Sequence, residues 1–238
     1  MACRAADEIE ALARRRPQCL LALPTGRTPI ELYEEMRRRA HDGRLDLTQA
    51  TVALLDEYVG LSPEDGGSNL SFLKRHLLAH VPVRTVLYPN GRAADPEAEA
   101  ARYEAAIAEA GGLDLAVLGI GSNGHVGLNE PGAPPDSRTR VAKLTSSSRR
   151  DLAWAFGGQV SDVPRAGYTL GLGTITEARA LLLLATGEGK AHILRRALMG
   201  PVTEAVPASL LRRHPRLLVI ADEAAASLLP PSLGTGRA

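Results

Sequence analysis

The chain has 238 residues, 45% of them hydrophobic, with 28 basic against 27 acidic side chains and a formal net charge of +1. That length suits one α/β domain with a substantial core, and the balanced charge excludes a whole-molecule field for nucleic acid or an anionic membrane. With only 3% aromatic residues, a stacking surface for single-stranded nucleic acid is excluded as well.

The chain enters almost at once an Arg-rich helical stretch flanked by Cys3 and Cys19. These two have no CxxC or Cys/His spacing that would suggest zinc, and are read as a reduced structural pair. The early charges Arg4, Asp7 and Glu8, and the lack of any apolar run of about 18 residues, argue against a signal peptide or spanning helix. A cytoplasmic location is expected.

Short apolar runs then alternate with helical patterns. Strands are predicted at 19 to 23 (CLLAL), 51 to 55 (TVALL), 85 to 88 (TVLY), 113 to 120 (LDLAVLGI), 180 to 186 (ALLLLAT) and 216 to 222 (RLLVIAD). Helices are predicted over about 28 to 41, 68 to 80, 95 to 110, 146 to 155, 188 to 199 and 222 to 229. Near-continuous apolar strands suit a sheet covered on both faces. The alternation therefore predicts a single-domain α/β fold, a mostly parallel sheet with helices on both faces, Rossmann-like. No repeat or linker divides residues 1 to 229, and 230 to 238 read as a flexible tail.

In open α/β sheets ligands bind at the carboxyl ends of the strands, and three of these ends carry unusual polar sequence. The first is PTGRTP at 24 to 29. Backbone amides there, with Thr25, Gly26, Arg27 and Thr28, can hold a phosphate at a helix N-terminus; the ordinary reading is a strand-to-helix turn with Thr28 as N-cap. The second is DEYVG at 56 to 60. A partly desolvated Asp56 can serve as a general base, although taken alone the segment reads better as a turn cap at Asp56 beside a solvated Glu57.

The third and most specific is GIGSNGHVGLNEP at 119 to 131. His125 and Glu130 stand five residues apart on a glycine-rich segment with Asn123 and Asn129, the pattern of a proton shuttle oriented by a carboxylate. One His and one Glu without further ligands make a poor metal site. The spacing of Gly119, Gly121 and Gly124 fits GxGxxG, but no clear helix start follows, which argues against a dinucleotide site.

Taken together and in this order, these segments resemble the glucosamine-6-phosphate deaminases, within the wider family that includes 6-phosphogluconolactonase. The resemblance spans about Leu20 to Leu229 and includes LPTGRTP, LLDEYVGL, LGIGSNGHVGLNEPG, SRTR, VPRAGYTLGLGTI, GEGKA and PASLLRRHPRLLVIAD. It implies conversion of glucosamine 6-phosphate and water to fructose 6-phosphate and ammonia, with no metal or other cofactor. By the same resemblance Asp56 is the base that takes the C2 proton. His125 opens the sugar ring, assisted by Glu130 and Asn123, and Lys190 binds the phosphate.

Two departures stand out. Asn123 occupies a place that is Asp in some members, so it can orient but not titrate. The family's phosphate-binding arginine falls at Trp154, and Arg27, at a position that is commonly Gly, is the expected substitute, with Arg149 and Arg150 in reserve. The initial family strand is also missing. The alternatives are a 6-phosphogluconolactonase, which needs no C2 base, and a non-catalytic sugar-phosphate effector protein, for which neither end has room for a DNA-binding module. The sequence leaves monomer and homo-oligomer equally open.

Overall fold

The apolar run at 20 to 23 shows why the central sheet forms. In the computed structural model, which describes residues 1–231, this run is strand β1 (Leu20–Leu23), buried along its whole length. Side chains alternate across a strand, and here the alternation divides one run between two cores. Leu21 and Leu23 join Ile9 of helix α1 (Ala2–Arg15) and Leu32 and Met36 of helix α2 (Ile30–His41). Leu20 and Ala22 turn to the other face, where their cluster contains Tyr103, Ile107, Ile193 and Leu194.

The remaining strands of this sheet are β2 (Thr51–Leu54), β4 (Thr85–Leu87), β5 (Leu115–Gly119), β8 (Leu181–Ala185) and β9 (Leu217–Ala221). Their order is β4-β2-β1-β5-β8-β9, with every neighbouring pair parallel. All six coincide with the predicted runs, and the mostly parallel, helix-covered architecture is as expected. Helix α4 (Pro96–Glu109) starts at Asp95, whose carboxylate accepts from the Glu97 and Ala98 amides, with Pro96 in the first turn. Helix α7 (Ala191–Met199) packs Ile193, Leu194 and Ala197 on the same side as Tyr103 and Ile107 of α4.

A second sheet is new. Strands β3 (Asp56–Tyr58), β6 (Arg140–Lys143) and β7 (Ala166–Thr169) form a three-stranded antiparallel sheet in the order β3-β7-β6. These strands are three or four residues long, and RVAK and AGYT carry no apolar run of the kind that marks the central strands. Helix α3 (Asn69–Leu73) runs into a π-helical turn at Lys74–Leu78. Helix α5 (Ser146–Leu152) continues as a 3-10 turn at Ala153–Phe156. Short helices α6 (Leu172–Thr176), α8 (Pro207–Leu210) and α9 (Glu223–Ala226) complete the described residues.

Helix α1 is fastened by a buried arginine. Arg39 of α2 reaches Glu10 and Asp7, each at 2.8 Å, and Glu35 at 2.7 Å, and also donates to the Cys3 carbonyl. The two cysteines are both free, Cys3 exposed and Cys19 buried. Among the described residues no helix is long and apolar enough to cross a membrane. Residues 232–238 of the expected tail lie outside the described residues.

Candidate active site

The strand order changes direction between β1 and β5, because β1 is followed outward by β2 and β5 by β8. Loops leaving two such strands diverge and open a crevice at their carboxyl ends. A cleft of about 710 Å³ lies there, lined by Thr25 to Thr28 after β1, Asp56, Gly121 and His125 after β5, Trp154, and Thr186 and Lys190 after β8. Four strand ends therefore meet around one cavity.

Asp56 begins β3 and pairs with Thr169 in the small antiparallel sheet, so it is neither a turn cap nor part of a loose loop. Asn69 of α3 donates its amide to the Asp56 carboxylate and, at 3.1 Å, to the Asp56 carbonyl. Burial, and then the adjacent Glu57 charge, push the Asp56 carboxyl up to about 7. Glu57 itself is buried rather than solvated. Its carboxylate accepts from the amides of Tyr58, Asn69 and Leu70 and from the Ser68 hydroxyl, closing the N-terminus of α3.

His125 is held through an amide. Asn123 donates Nδ2 to Glu130 at 2.7 Å, and a carboxylate can only accept, so Asn123 Oδ1 must face the histidine. It accepts there from the His125 backbone N–H at 3.1 Å and lies 2.8 Å from Nδ1. The neutral ring therefore carries its proton on Nδ1 and keeps a lone pair on Nε2. Glu130 is 3.8 Å from Nδ1, too far for the direct carboxylate contact that the spacing suggests. Neither Asn123 nor Glu130 lines the cleft.

Burial lowers the imidazole pKa, Glu130 opposing and Lys190 adding to the effect. Burial also works to raise Glu130, but bonds from Ser148, Asn123 and the Thr145 amide, with His125 nearby, hold it below its ordinary value. Gly121 is required by sterics, since a Cβ there would fall 2.1 Å from the His125 ring. The backbone after Gly124 forms a tight bridge between Val126 and Asn129 instead of a helix, which removes the dinucleotide geometry.

Three cations, Arg27, Arg150 and Lys190, also line the cleft. Arg27 lies over the Trp154 ring, 5.1 Å from its centroid, and the indole meets Phe72 edge-on. Gly26 has φ +105°, a backbone shape that side chains disfavour, and turns the chain sharply before α2. The amides of Gly26, Arg27 and Thr28 make no backbone hydrogen bond among the described residues. Thr28 is not the cap of α2: Pro29 holds that place, and the Thr28 hydroxyl meets Thr186 at 3.1 Å. Burial pulls the Lys190 ammonium pKa down, Asp151 opposing.

Of the reserve arginines, Arg149 donates to the Val160 and Val163 carbonyls, while Arg150 lines the cleft. Asp151, an acidic residue lining the same cleft, was not foreseen; it accepts from Ser122. Nor was Asn69, which lies just after the Ser68 cap. Among the described residues no three His, Cys, Asp or Glu side chains converge as a metal site.

A family profile described as glucosamine-6-phosphate isomerases/6-phosphogluconolactonase matches residues 1–219. The chain belongs to this family. Within it, a glucosamine-6-phosphate deaminase of Streptomyces coelicolor is 44% identical over 226 residues, covering 94% of this chain and 87% of that protein. One from Rhodococcus jostii is 47% identical, covering 94% and 86%. Among solved structures, a monomeric glucosamine-6-phosphate deaminase superposes with a TM-score of 0.91 at 35% identity, covering 95% of each chain. The 6-phosphogluconolactonase of Leishmania guyanensis shares the fold at TM-score 0.77 but only 24% identity, covering 96% of this chain and 94% of that one.

Proposed function

We propose that this family member deaminates glucosamine 6-phosphate, or a closely related amino sugar phosphate, to fructose 6-phosphate and ammonia. The observation that carries this reading is that one cleft holds two separate proton-transfer groups, Asp56 and His125, together with the cations Arg27, Arg150 and Lys190. Hydrolysis of a lactone needs only one of them. The deaminases cited above, at 44% and 47% identity over nearly the whole chain, support the same choice.

In this reading His125 Nε2 takes the O1 proton and delivers it to O5 as the C1–O5 bond breaks, releasing the open-chain aldehyde. Asn123 and Glu130 hold the ring tautomer. Asp56 removes the C2 proton while O1 takes a proton from the substrate's ammonium group, giving a neutral enolamine, and the Asp56 proton is then returned to C1, leaving an iminium at C2. Water adds to C2 and ammonia departs, so sugar phosphate plus water yields ketose phosphate plus ammonia. The whole sequence runs without a metal or other cofactor. A phosphorylated sugar is an anion that does not cross a bilayer unaided, which supports a cytoplasmic site of action.

The phosphate is assigned to Arg27, Lys190 and the amides of Gly26 to Thr28. A guanidinium stacked on an indole keeps its edge N–H donors free, so Trp154 serves as the platform for Arg27 in place of the arginine the family pattern puts at 154. Arg27→Ala is expected to raise KM for glucosamine 6-phosphate by about 10- to 100-fold, the range of a charge-assisted hydrogen bond. The same change should leave KM for unphosphorylated glucosamine nearly unaltered; equal effects on both sugars would remove Arg27 from the phosphate. The reaction itself is tested by a coupled ammonia assay on glucosamine, galactosamine and mannosamine 6-phosphates, beside acid release from 6-phosphogluconolactone. Acid release without ammonia would identify a lactonase.

A further inference from the structure

Asn69 is 5% exposed and does not line the main cleft, yet both its amide hydrogen-bonding sites are committed there in a fixed sense. Asp56 offers it two acceptors, a carboxylate oxygen and the main-chain carbonyl, so the Asn69 NH₂ must face Asp56. The Asn69 oxygen then faces Thr25, and at 2.9 Å the Thr25 hydroxyl has to be the donor. The main chain of Asn69 is held in turn by Glu57, which accepts its N–H at 3.0 Å.

The consequence for Asp56 is directional. Asn69 engages Oδ1, while Oδ2 is the oxygen beside Gly127, where a Cβ would lie 3.4 Å from it, and Gly127 lines the cleft. Resting on the deaminase reading above, we propose that Thr25 and Asn69 are positioning residues for enolisation, fixing Asp56 Oδ1 so that Oδ2 is presented to the C2 proton. Thr25 thereby changes role. Its hydroxyl hydrogen is given to Asn69, and only its backbone remains for the phosphate. The loop after β1 thus serves both ends of the sugar, through Arg27 at the phosphate and through Thr25 at the base.

Several groups face Asp56 and stay in place when Asn69 or Thr25 is changed. Glu57 and Tyr58 stand on its own strand, with Tyr33 of α2 and Tyr103 of α4 close enough to feel its charge. His125, Lys190, Arg27, Arg150 and Asp151 line the same cleft. Loss of the Asn69 donor removes a bond that favours the carboxylate, so the carboxyl should titrate at higher pH in Asn69→Leu.

The test compares Asn69→Leu, Thr25→Val and Thr25→Ser in ammonia release and in exchange of the C2 hydrogen with D₂O, over a range of pH. Asn69→Leu should lower kcat and C2 exchange together by roughly 10- to 100-fold, with KM within about threefold and the acidic limb moved upward. Thr25→Val should lower kcat by roughly 3- to 10-fold at nearly constant KM, and Thr25→Ser should restore it. A rise in KM with unchanged kcat in Thr25→Val would put the hydroxyl on the phosphate and overturn the proposal, as would an unmoved acidic limb in a folded Asn69→Leu. If the unaltered protein releases no ammonia, the deaminase reading fails instead. The relay is then judged by infrared titration of the Asp56 carboxyl without substrate, where equal midpoints with and without Asn69 would overturn it.

Discussion

Asp56→Asn is expected to lower kcat for ammonia release by about 10³-fold, within the 10²- to 10⁴-fold that a positioned base contributes. The amide has nearly the same shape and can still accept from Asn69, so the loss should fall on kcat, with KM little changed. Exchange of the C2 hydrogen with solvent should vanish in parallel. Retained exchange would show that another group enolises the sugar.

The same substitution has a second, opposite effect on stability. The Asp56 carboxyl is raised by burial and by Glu57 to about 7, well above the ordinary unfolded value of about 3.9. The folded state therefore binds the proton more tightly. Its stability contribution is fully present below about pH 4 and is lost as pH rises through about 7. Asp56→Asn removes that loss, so it should melt higher than the parent at pH 8, by roughly 1–3 kcal/mol after allowing for solvent in the open cleft, and show no gain at pH 4. For the parent, kcat/KM should fall tenfold per unit below about pH 7, because the base must be ionised. A flat melting difference from pH 4 to 8 would contradict the assigned charge.

The second large effect is expected at His125. His125→Gln should lower kcat by about 10²-fold, nearer the lower end of the same range, because hexose rings also open slowly in water and supply some aldehyde without the enzyme. Gly121→Ala should do comparable damage by driving a methyl group into the space of the ring. Asn123→Leu should cost about tenfold, since it removes the acceptor that keeps the proton on Nδ1. The acidic limb near pH 7 should survive in His125→Gln, because Asp56 is untouched. If that limb disappears with the imidazole, then the histidine and not Asp56 is the titrating base.

The two substitutions report on different kinds of legibility. His125 and Glu130 were visible in sequence because an unusual polar, glycine-rich loop directly follows a five-residue buried strand. Their spacing nevertheless suggested direct contact, and the loop instead folds so that Asn123 bridges them. Asp56 was visible as a carboxylate at a strand end. Its antiparallel pairing was hidden, because DEY meets AGYT only when segments more than 100 residues apart come together. Asn69 was hidden for a related reason, as an asparagine just after a helix cap has no local feature that distinguishes a relay from a solvated amide.

Local patterns alone determined the six parallel strands, the helices between them and the three polar strand ends, because buried runs and helical periodicity are properties of neighbouring residues. Tertiary structure decided which of those ends share a cleft, through the change of direction between β1 and β5. It also decided what each polar group does there. Thr28 meets Thr186 rather than capping α2, Glu57 is buried around the start of α3, and Arg27 rests on Trp154. These outcomes depend on burial and on partners distant in the chain, and desolvation is what separates the Asp56 carboxyl from an ordinary surface carboxylate.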